Sequence, residues 1–134
     1  MTAKEYLSQY STLFALIDCK REQIKELEAV ATSVSPSASG FGSSGEVSDK
    51  VGKTVGKIVD LEMLVLSEIE NLVKLNIEIR NQTTALTNLE YQYILEEHYF
   101  NGKPFEYIAE KLHCDRSTIC RKHGTALSLI VPPE

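Results

Sequence analysis

His113, Cys114, Cys120 and His123 are metal-ligating residue types within one short stretch. Structural zinc takes closely spaced Cys and His pairs. Cys114 and Cys120 stand six positions apart, so no metal is expected: Cys114 fills an apolar turn and Cys120 faces outward. A Cys–His nucleophile pair would need a cleft and an oxyanion site, and neither is legible. Gly40-Phe41-Gly42-Ser43-Ser44-Gly45 fits a dinucleotide-binding spacing but has no strand before it. Gly52-Lys53-Thr54 looks like the tail of a phosphate-binding loop, yet the earlier glycine would fall on Val47. Those residues read better as the first turns of a helix, with Lys53 and Lys57 exposed. No enzyme activity and no cofactor are therefore expected. What remains is basic. Arg116, Arg121 and Lys122 lie in a stretch, Arg116 to Ile130, that holds no acid. That chemistry suits nucleic acid, where an arginine can grip guanine O6 and N7 with two bonds.

The rest of the composition limits how such a site works. The chain has 134 residues, 43% hydrophobic and 25% charged, with 14 basic and 19 acidic residues and a net charge of −5. An indiscriminate cationic coat is excluded. The segment from Leu86 onward holds five basic and seven acidic residues, so phosphate contacts would be few and nonspecific binding weak. Linking two modest contacts through a dimer would supply the missing affinity. Three cysteines are too few for a disulfide scaffold. No run is apolar enough to span a membrane, and the start lacks the pattern of a secretory signal. A cytoplasmic setting is expected.

Helices must position the basic cluster. Tyr6, Tyr10, Leu13, Ile17, Lys20, Ile24, Leu27 and Ala31 recur at alternating four- and three-residue steps, which predicts a long helix from Ala3 to about Ala31. Thr32 to Ser48 is rich in serine and glycine and reads as a flexible loop. A second long helix, capped by Ser48 or Asp49, is predicted to run to about Thr84. Its stripe is Val51, Val55, Ile58, Glu62, Val65, Ile69, Leu72, Asn76 and Ile79, widened by Val59, Leu66 and Val73. Residues 1–85 are thus expected to form a coiled-coil-like helical hairpin. The second helix's stripe is too wide for one partner and wants a second chain or the C-terminal region as well; a homodimer or higher oligomer is expected.

Residues 86–134 read as a second domain of three shorter helices. Thr87 with Glu90 matches a capping box before a helix over Leu89 to Phe100. Asn101-Gly102 ends it, and Pro104 suits the start of the next, Phe105 to Leu112. His113-Cys114 turns the chain, and Asp115 caps a last helix from Arg116 to about Ile130. Pro132-Pro133 closes it. Two helices across a short turn, the second one basic, form a helix-turn-helix pattern. The tyrosines Tyr91, Tyr93, Tyr99 and Tyr107 read as core residues with wet hydroxyls. His98 and Cys19 read as packing or surface residues.

The stretch from Leu86 to Ile130 also resembles region four of bacterial sigma factors. The matching residues are Leu86, Leu89, Ile94-Leu95, Tyr99-Phe100, Gly102, Ile108-Ala109, Leu112, Ile119 and Ala126-Leu127. MTAKEYLSQY and SDKVGKTVGKIVDLE further resemble the ArpU/RinA-like group of small phage and prophage regulators of Gram-positive bacteria. The resemblance implies an all-α protein that binds double-stranded DNA in a bacterial host cell and regulates phage late or packaging genes. It places the DNA-binding surface on Arg116, Ser117, Thr118, Cys120, Arg121 and Lys122, with Arg121 reaching a base edge and Thr118 and Lys122 serving phosphate or packing. Cys120 stands where sigma factors usually carry an arginine, and Lys122 where they carry a buried apolar residue. The first departure points to a different base preference, the second to a differently rolled helix or to Lys122 snorkelling to a phosphate. Glu96-Glu97 would then be a face for RNA polymerase or simply a solvated one. The competing expectation is a coiled-coil interaction protein whose C-terminal helices bind no DNA.

Overall fold

A computed structural model of the chain describes residues 1–33 and 44–133. Every regular element among them is helical: α1 Ala3–Ser33, α2 Ser44–Thr84, α3 Leu89–Leu95, α4 Phe105–Lys111 and α5 Arg116–Ser128. A π-helical turn, Glu96–Phe100, continues α3. Most of the expected flexible loop lies outside the described residues. At its edges the helices reach further than expected, to Ser33 on one side and back to Ser44 on the other. Gly52, Lys53 and Thr54 lie inside α2, and Thr54 Oγ1 donates to the Lys50 carbonyl at 2.8 Å. That is helical backbone with its amides engaged, not a loop open to a phosphate.

The chain divides into two compact units, one of Met1–Phe14 with Leu72–Glu134, the other of Ala15–Asn71. The boundary expected after residue 85 therefore falls inside the first unit. The cause is a shared core. Tyr6 and Leu7 of α1 and Ile79 of α2 are buried with Leu95, Tyr99, Ala126 and Ile130. A second cluster joins Ile94, Ile108, Ala109 and Ile119 and so ties α3, α4 and α5 together. The two clusters use opposite neighbours on α3: Ile94 belongs to one and Leu95 to the other.

Local chemistry sets the ends of these short helices. The expected cap, Thr87, yields to Asn88, whose Oδ1 accepts from the amides of Glu90 and Tyr91 at 2.9 and 3.2 Å. Asparagine is among the strongest N-caps, so the register settles one residue later. The π-helical turn after α3 ends where the Asn101 amide reaches the Glu96 carbonyl at 3.2 Å, a five-residue step that widens this turn. Gly102 then takes φ +66°, a conformation cheap for glycine. At the end of α4, His113 adopts φ +55°. The amide of Cys114 bonds to the Ala109 carbonyl at 3.0 Å and that of His113 to Glu110 at 3.3 Å. This is a Schellman ending with histidine where glycine is usual. After α5, the Val131 backbone exchanges two hydrogen bonds with the Gln82 side chain, at 2.8 and 2.7 Å.

In the second unit α1 follows its expected stripe: Ile17 is buried, and Lys20, Ile24, Leu27 and Ala31 are half-buried. The α2 stripe is rotated. Val55, Glu62, Val59 and Leu66 are exposed, while Thr54, Leu61 and Glu68 turn inward beside Ile58 and Val65. Val73, in the first unit, is exposed as well. Apolar residues occupy both sides of α2, so periodicity alone defined a stripe too broad and slightly turned. The carboxylate that turns into the seam is Glu68, not Glu62, and it pairs with Lys20.

Candidate nucleic-acid interface

Helix α5 is fixed from behind. Ile119, His123 and Ala126 follow helical spacing and are all buried. Ile119 packs with Ile108 and Ala109 of α4 and Ile94 of α3. Small Ala109 permits the approach of α4 and α5. The turn between them runs from Leu112 to Asp115. Asp115 occupies the N-cap with extended backbone, but its side chain makes no capping bond. Its carbonyl accepts from the amides of Thr118 and Ile119 at 3.1 and 3.2 Å.

His123 was a candidate ligand by residue type. It is instead part of the core, with Nε2 2.7 Å from the Tyr99 hydroxyl. Burial, with the nearby charges of His98 and Lys4, holds its pKa down at about 4. Burial likewise pushes the Tyr99 hydroxyl up to about 12. His98 stacks on Phe105 with centroids 4.3 Å apart and donates from Nδ1 to the Lys103 carbonyl at 2.9 Å. The π turn, the start of α4 and the middle of α5 thus meet in one aromatic cluster. Among the described residues, no three His, Cys, Asp or Glu side chains gather in an arrangement that could hold a metal ion.

The outward side of α5 carries Ser117, Arg121, Gly124, Thr125 and Ser128, all exposed. Four are small, and a Cβ built on Gly124 would meet nothing within 4 Å. Arg121 is the one long side chain of this line, and it has no ion-pair or ring partner among the described residues. The other expected residues fall on two flanks. Arg116 and Cys120 are four apart on one, and Thr118 and Lys122 are four apart on the other. Cys120 is half-buried rather than fully outward, and Lys122 is half-buried too.

Both flanks end on acids that belong to other helices. Arg116 Nε lies 2.7 Å from Glu106 Oε1 of α4. Lys122 Nζ pairs with Glu90 Oε2 of α3. Hydrogen bonding to Glu90 raises the Lys122 pKa. The stretch without acids in the sequence is therefore bordered by carboxylates in space. Nothing in the spacing of Glu90 or Glu106 marks them; only the packing of α3 and α4 around α5 does. On α4 and the segment before it, Lys103 and Lys111 stand over the Tyr107 ring, at 4.8 and 5.4 Å from its centre.

No family model matches the chain, and neither the curated proteins nor the solved structures compared with it give a match.

Proposed function

We propose that the protein binds double-stranded DNA with sequence preference and regulates transcription. In this reading α4, the turn and α5 form a helix-turn-helix of the sigma region-four type, and α1 and α2 form a helical hairpin. The observation that carries the reading is the outward line of α5, an unpartnered arginine among small side chains on a helix braced by a buried core. Small residues let a helix approach base edges closely, and a free guanidinium supplies the base contact. Lys103 and Lys111 on the preceding segment are suited to phosphates. The phage or prophage setting, the late or packaging genes and a contact with RNA polymerase rest on the resemblance alone.

The reading includes a dimer. Val55, Val59, Met63 and Leu66 expose apolar surface on the helical part of the second unit, and a second copy would cover it. Light scattering at micromolar concentration tests this; a monomer contradicts it. The same surface favours the competing reading, an interaction protein that binds no DNA.

A gel-shift titration at fixed salt separates the two. Wild type should prefer its own upstream duplex over a random one. Arg121→Ala should lose that preference, at a cost of about 1–3 kcal/mol, while Lys53→Ala binds as wild type does. Equal binding of wild type to both duplexes would refute the reading.

A further inference from the structure

We propose that Glu106 is a positioning residue, setting the Arg116 guanidinium to read a guanine edge; the inference rests on the DNA-binding reading above. Arg116 is the first residue of α5, and the first turn of that helix has no acidic side chain. A cation placed there meets the positive pole of the helix and is unfavourable locally. The compensating charge comes from elsewhere in the fold, since Glu106 lies in the first turn of α4.

The pair is a weak support for the fold. Its side chains are 61% and 64% exposed, and exposed ion pairs contribute little to stability. Its geometry is the informative part. The closest approach of Glu106 to the guanidinium is at Nε, an ion-pair distance of 2.7 Å. The two terminal nitrogens make no hydrogen bond among the described residues, and the approach of Glu106 is closer to Nε than to either. Together those nitrogens make the planar fork that matches guanine O6 and N7.

A long arginine left free samples many rotamers, and DNA must order it on binding. A carboxylate at Nε removes part of that freedom beforehand. The Lys122–Glu90 pair on the other flank works differently. An ammonium is a single point of charge, so Glu90 engages the same atom that a phosphate would need. Arg116 can keep its carboxylate and still present its fork; Lys122 must share or release Glu90.

The test is selection from a randomised duplex library at fixed salt, with the full chain. Wild type, Glu106→Ala, Glu106→Gln, Arg116→Ala and the Glu106→Ala/Arg116→Ala double variant are compared, each checked by thermal melting. Glu106→Gln keeps the side-chain size, so an unfolded alanine variant would not decide the outcome. Arg116→Ala should flatten the preference at one G·C pair by about tenfold. Both Glu106 variants should weaken preference at that same pair, several-fold for alanine and less for glutamine, and leave other positions unchanged. The double variant should be no worse than Arg116→Ala alone. Full preference at that pair in the folded Glu106 variants overturns the proposal. So does uniformly tighter binding to every duplex, which would make Glu106 a competitor of phosphate. If wild type selects no motif, the DNA-binding reading falls, and the proposal with it.

Discussion

Lys20 and Glu68 pair with side chains only 15% and 14% exposed, whereas Arg116 and Glu106 pair at 61% and 64%. Both contacts join a cation on one helix to a carboxylate on another. Their surroundings make them different objects. The first is set in the apolar seam with Ile17 and Val65, and Glu68 Oε2 is buried there without a hydrogen-bond partner. Desolvation makes such a pair costly to break and dispensable if both partners are replaced by apolar residues. The second is wet, so its energy is small and its value lies in orientation. The Tyr99–His123 hydrogen bond is buried like the first pair, though neither group is charged, and it lies on the side of α5 opposite Arg121.

The sharpest way to break the contrast is to remove one partner of the inner pair. Glu68→Ala leaves Lys20 in the seam and should cost about 3 kcal/mol in urea unfolding, the low end for a buried pair because some water remains. Lys20→Met with Glu68→Leu should restore stability or exceed it. A small loss for Glu68→Ala would show the seam to be as wet as the flanks of α5.

Acid probes the other inner pair. His123 falls from an ordinary value of 6.5 to about 4 in the fold, so the unfolded chain takes up the proton first. Its contribution is complete above about pH 6.5 and is lost as pH falls toward 4. Roughly 2 kcal/mol should disappear by about pH 4.5, and His123→Phe should remove most of that dependence. Tyr99 runs the other way. Its pKa is raised from 10.0 to about 12, so its contribution fades as pH climbs through that interval.

The turn before α5 gives a smaller effect. His113→Gly relieves a left-handed conformation in a residue that is exposed and should stabilise by about 0.5–1 kcal/mol in thermal melting. The smallest effect is expected at the outer pair itself. Glu106→Ala should shift stability by less than about 0.5 kcal/mol, and a large loss would place that pair with Lys20–Glu68.

The buried side of α1 was legible because one helix with one apolar stripe has a single way to hide it; Tyr6, Tyr10, Leu13 and Ile17 all face inward to some degree. The α2 stripe was legible only to within a partial turn. Val55 and Val59 compete with Thr54 and Leu61 for the inside, and which set wins depends on the partner helix rather than on α2. The basic positions of the candidate interface were legible as residue types. The outward place of Arg121 follows from the spacing of Ile119, His123 and Ala126, but His123 itself was not marked as core, because its hydrogen-bond partner is 24 positions away in Tyr99.

By itself the sequence determined the helical class, the long and short helices, the break at Asn101-Gly102 and the turn at His113-Cys114. These are set by neighbours within a few residues, through capping, backbone preference and the 3.6-residue period. The tertiary structure alone decided three other matters. It put Tyr6, Leu7 and Ile79 in one core with Leu95 and Ala126. It chose Glu68 over Glu62 for the seam. It brought Glu90 and Glu106 to the flanks of α5. Each joins residues distant in sequence, and no local preference encodes a charge or an apolar surface that another helix supplies.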